Sequence, residues 1–132
     1  MQADLTAAAL ASSAIAAIAG ARVHWKRRPQ GGPLPALVMH RIHSGASYTM
    51  EDRVRLTPHI VQFDCWGRTY AEAVALQGAV EALLPTLFTA PFQGAFLRDI
   101  REDVDRDQAL AQTPVATEFR VSLDAQVWHL IA

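Results

Sequence analysis

A chain of 132 residues with 51% hydrophobic content fits a single domain spanning 1–132, able to take roughly two thirds of its unfolded surface out of water without a staple. Twelve Lys and Arg against thirteen Asp and Glu leave a net charge of -1, which excludes the strong basic excess of a protein that grips nucleic acid through phosphates. The lone cysteine, Cys65, excludes an internal disulfide and a cysteine-rich zinc module, and it points to a reducing cytoplasm.

The opening "MQADLTAAALASSAIAAIAG" is almost uncharged from Leu5 to Ala19. A secretory signal wants a positive charge ahead of its apolar run, whereas the only early charge here is Asp4. The run is also shorter than the ~20 apolar residues of a bilayer span, so no membrane partner is expected. Asp4 suits the N-cap of a helix that Gly20 ends. Leu5, Ala8, Ala9, Ser12, Ile15, Ala16 and Ala19 then form its stripe of small side chains.

Arg22 to Trp25 predicts a short strand, after which "KRRPQGGPLP" breaks the pattern. Lys26, Arg27 and Arg28 read as a solvated turn, since three charges neutralise few phosphates. "ALVMHRIH", Ala36 to His43, predicts a strand. Ser44 to His59 is too long for an ordinary connection, and Val54 and Leu56 extend the next strand, favouring a long hairpin near residues 44–58. From His59 to Trp66 the alternation sends Val61, Phe63 and Cys65 to the apolar side and Ile60, Gln62, Asp64 and Trp66 to the other.

Thr69 and Glu72 form a capping box for a second helix running to about Leu84, with Ala73, Leu76, Val80, Leu83 and Leu84 buried and Pro85 as its stop. "TLFTAPFQG" predicts a hydrophobic loop or single turn. "AFLRDIREDVDRD" leaves helix and strand both open, because Phe96, Ile100 and Val104 fall four apart. Its charges suit an edge or a protruding hairpin. "ATEFRVSLDAQVWHL" alternates cleanly, with Phe119, Val121, Leu123, Ala125 and Val127 inward and Glu118, Arg120, Ser122, Asp124 and Gln126 outward. Together these elements predict an α+β fold, two helices on one face of a mainly antiparallel sheet.

The chemical motifs are sparse. Cys65 lies near a helix start but beside Val61 and Phe63, where a free cysteine is a small hydrophobe rather than a nucleophile. His40 and His43 are three apart and diverge on one regular strand; His24, His59 and His129 bring no HExxH or CxxC pattern. The carboxylates from Asp99 to Asp107 lack the calcium-loop glycine. No G-x-S-x-G, P-loop or dinucleotide fingerprint appears. Neither catalytic residues nor a cofactor is therefore expected, and the weight falls on binding or assembly.

The order "GARVHW", "GGPLPALVMHRI" and "HIVQFDCWGRTYAEAVALQGAVEALL" resembles the phage tail-completion proteins, or tail terminators, of siphophages and gene transfer agents. Val61-Gln62-Phe63-Asp64-Cys65-Trp66-Gly67 with Thr69, Glu72 and Ala73 carries the likeness, while His24-Trp25 replaces a more usual tyrosine-like pair. The resemblance covers Asp4 to about Leu130. It implies a structural protein of the virion tail at the neck, assembled in the bacterial cytoplasm. There a self-assembled ring, usually a hexamer, caps the tail tube, ends its polymerisation and joins the head-tail connector or stopper protein. Genomic DNA would pass through its lumen without sequence-specific binding.

A closed ring needs two different complementary patches on each copy. The candidates are Tyr48 and Met50 as anchors in the long loop and Arg53 and Arg55 facing Glu102 and Asp103 of the next copy. Trp66 is a further candidate, on the face away from the core. Two other classes stay open, another neck or connector protein of the same particle and an intracellular ligand-binding α+β module.

Overall fold

The computed structural model describes residues 1–27, 32–46, 50, 55–105 and 118–130, with the main chain alone for 103–105. Helices α1 (Gln2–Ala11) and α2 (Ser13–Ala19) lead into strand β1 (Val23–Trp25), β2 (Ala36–Ser44) and β3 (Leu56–Gly67). Helix α3 (Tyr70–Leu83) and a 3-10 turn, Leu84–Thr86, precede β4 (Phe92–Asp105) and β5 (Glu118–Leu130).

The single opening helix expected from the sequence is two helices bent by 83°. Ser12 makes the break: its extended backbone leaves the helical path, its N–H bonds Ala9 C=O, and its Oγ accepts from Ile15 N–H to cap α2. Serine competes for local backbone groups in this way, which favours caps over helix interiors. The elbow lets Leu5 and Ala9 from α1, and Ile15 and Ala19 from α2, reach one core, while Ala16 of the expected stripe is exposed. Asp4 is not the N-cap either. The helix begins at Gln2, and Asp4 sits in its first turn, where a carboxylate favours the positive end of the helix dipole. No single described helix is long and apolar enough to cross a membrane.

Five strands form one sheet in the order β1-β2-β3-β5-β4, with β1 parallel to β2 and every other pair antiparallel. β2 and β3 are thus the two arms of the expected hairpin, and Gly45 N–H donates to Pro58 C=O at its neck. At the β1 edge two of the outward groups are used locally: Val23 N–H donates to Ala21 C=O, and Trp25 C=O accepts from Arg27 N–H. Trp25 Nε1 also donates to Thr6 Oγ1 of α1.

The helices cover one face, where Leu37, Met39, Val61, Phe63, Cys65, Leu76, Val80, Leu123 and Val127 close into a single core. Each large side chain fully buried there contributes on the order of 2 to 3 kcal/mol. Thr69 Oγ1 caps α3 by accepting from Glu72 N–H, and Glu72 returns a bond to Arg68 N–H. Gly67 is required where β3 meets this cap, because a Cβ would lie 2.7 Å from Ala73 N.

β4 is an edge strand, which resolves the open choice of helix or strand. It carries two register breaks against β5, between Phe92 and Gly94 and between Leu97 and Asp99. Gly94 takes φ +130° at the first of them, as bulged strands often require.

Candidate interaction surface

Among the described residues the sheet's second face has no helix against it. It is organised around Asp64, which is only 2% exposed although its alternation parity sends it away from the core. Asp64 Oδ1 accepts from Ser122 Oγ and from Gln62 Nε2, each at 2.7 Å, and His40 Nε2 lies 3.0 Å from Oδ2. Gln62 continues the chain to Arg101 Nη2 at 3.3 Å. Arg101 in turn grips Asp124 through both terminal nitrogens, at 2.6 and 3.1 Å, and reaches Asp99 at 3.1 Å. Hydrogen bonding to Asp124 raises the Arg101 pKa, and the guanidinium stays charged. One polar seam therefore crosses β2, β3, β5 and β4.

Serine, histidine and aspartate meet here, but their wiring is not that of a nucleophile. Ser122 donates straight to the carboxylate, and His40 bonds the other oxygen of the same group instead of standing between them. Cys65 is fully buried, and burial, with Asp64 alongside, pushes its thiol far above the ordinary range. It cannot present a thiolate at neutral pH.

The residues singled out from the sequence fall into separate places. Met50 is wholly exposed in the connection between β2 and β3, and Arg55 is exposed at the foot of β3. Tyr48 and Arg53 lie outside the described residues. Trp66 is half-buried, with the Arg120 guanidinium 5.3 Å from its ring centre. Asp103 stands opposite Arg120 by register, so Trp66, Arg120 and Asp103 occupy one row across β3, β5 and β4. Glu102 is exposed and accepts from Tyr70 Oη at 2.7 Å, a bond that raises the tyrosine pKa.

Sequence reasoning missed the seam because its partners are far apart in the chain and out of register until the strands pair. It also missed His129, buried on the core side, whose Nε2 lies 2.8 Å from Asp4 Oδ2 and so ties the first helix to the last strand. The expected divergence of His40 and His43 fails for a similar reason. A register shift between Arg41 and His43 sets them opposite Gln62 and Ile60, residues of one parity. Even so, no group of three His, Cys, Asp or Glu converges among the described residues.

Compared with family models, the chain matches "Tail completion protein gp17" over residues 3–128. The chain belongs to this family. A tail-completion protein is a structural component of a phage-type tail. Among solved structures it is similar to a chain from the virion of a native gene transfer agent particle. The two share a TM-score of 0.71 at 17% identity, covering 98% of this chain and 94% of the other. At that identity the likeness bears on the fold. A search of curated proteins finds no match.

Proposed function

We propose that the chain is the tail terminator of a phage or gene transfer agent, a closed ring of six copies that caps the tail tube, ends its growth and joins it to the head connector at the neck. The family match across residues 3–128 carries this reading. The similarity to a gene transfer agent virion chain supports it, as does an architecture in which, among the described residues, the helices all pack on one face of the sheet. The ring assembles in the bacterial cytoplasm, holds no cofactor and performs no catalysis. DNA passes its lumen without sequence-specific contact, in keeping with a net charge of -1. Copies meet through the β2–β3 connection, where Tyr48 and Met50 anchor and Arg53 and Arg55 face Glu102 and Asp103 of the next copy.

Deletion of the gene from the producing particle tests the role. Expected are tails of uncontrolled length and DNA-filled heads without tails, both restored by the wild-type gene supplied in trans. Tails of normal length that merely fail to join heads would assign the chain to the connector instead.

A further inference from the structure

The helix-facing side of β4 is built as a core surface, covered at Phe92 and Ala95 by the 3-10 turn but open farther along. By register Leu97 stands beside Ala125 and Ile100 beside Leu123, both fully buried under the helices. Leu97 and Ile100 themselves remain 43% and 40% exposed. α3 packs on β3 and β5, one strand short of the edge. The register shift after Leu97 keeps Ile100 on the same side despite the three-residue spacing. Tyr70, fixed by its bond to Glu102 and its edge contact with Phe119, walls this ledge toward α3.

The chain also carries a matching projection. Met50 and Ile42, the latter 57% exposed, are apolar residues of the β2–β3 hairpin, flanked by exposed Arg41 and Arg55. Residues 41–55 hold three arginines against two acids, a net +1, while 99–107 hold five acids against two arginines, a net -3. The hairpin's open end lies beside Leu130 and Phe92, whereas the acidic half of β4 pairs with Glu118 to Asp124 at the other end of the sheet. Met50 is fully exposed, so it does not rest on its own chain's ledge.

We infer that the ledge formed by Leu97, Ile100 and Tyr70 is the socket for the β2–β3 hairpin of a second copy, with Met50 on the apolar floor and Arg55 toward Glu102. This rests on the ring reading above and names its contact. Hairpin and ledge are different surfaces at different ends of the sheet, so the contact is heterologous and each copy offers one of each.

Leu97→Glu and Met50→Asp, changes at exposed positions, are compared with wild type by native mass measurement, with circular dichroism and thermal midpoints to show that each variant folds. Expected is a multi-subunit wild type, with each variant alone reduced to monomer. Mixed one to one, the two yield heterodimers and nothing larger, since only one intact hairpin and one intact ledge remain per pair. Full assembly of Leu97→Glu, or a mixture that stays monomeric, overturns the pairing while the ring stands. A monomeric wild type overturns both.

Discussion

At the scale of single residues, Cys65 and Asp64 divide the roles that their adjacency in sequence blurs. Cys65 belongs to the core and Asp64 to the seam on the opposite face. Cys65→Ala is expected to cost about 1 kcal/mol and to leave assembly intact. Thiol labelling of the folded wild type should wait for unfolding. The pH dependence has a definite sign. A thiol whose folded pKa is raised above 9.0 stays protonated while the unfolded chain ionises, so stability is full below that value and falls above it. Urea midpoints of wild type should decline more steeply than those of Cys65→Ala above about pH 9, by up to about 1.4 kcal/mol per pH unit. Equal slopes would mean that Cys65 reaches solvent. Asp64→Ala leaves the buried Ser122 hydroxyl without its acceptor and releases the half-buried Gln62 amide, and should cost about 2 kcal/mol in urea unfolding. The parity of Asp64 was legible in the sequence. Its burial was not, because the hydroxyl that satisfies it lies 58 residues away.

At the scale of elements, legibility followed regularity. β5 and the first part of β3 alternate without interruption, and their faces could be assigned from the pattern alone. The α3 start was equally plain, since Thr69 and Glu72 have a local mechanism. β4 defeated periodicity because two register shifts break its count of two, leaving Leu97 and Ile100 three apart on one face. The opening helix misled for the opposite reason: a smooth run of good helix formers hides one serine that caps instead of continuing. Ser12→Ala removes that cap and should lower stability by about 1 kcal/mol in thermal or urea unfolding. A neutral result would mean that the elbow is held by packing of Ile15 and Leu5 alone. His129→Gln tests the other tether of this region. Loss of the contact with Asp4 should speed amide exchange in α1 without changing exchange in α3.

For the whole molecule, family membership was legible in the order of short motifs, while the surfaces proposed to meet between copies needed the register of the strands. Trp66 shows the gap. Its outward parity suggested a subunit contact, and the fold adds the Arg120 guanidinium, 5.3 Å from its ring centre, which no local pattern announced. Trp66→Ala is therefore expected to lower stability by about 1 to 2 kcal/mol through lost packing and cation-π contact. A change in assembly with unaltered unfolding would assign it to the interface.

The two margins of the sheet are unequal in a way that bears on this role. Fourteen residues of β4 form one margin, while β1 has three residues, with Val23 N–H and Trp25 C=O bonded to neighbouring turns. A strand as long as β4 finds a full-length partner along one side and a three-residue strand along the other. Repeated strand-on-strand stacking is therefore disfavoured. A protein proposed to halt a growing tube is thus poorly suited, at its strand edges, to growing into a ribbon of its own.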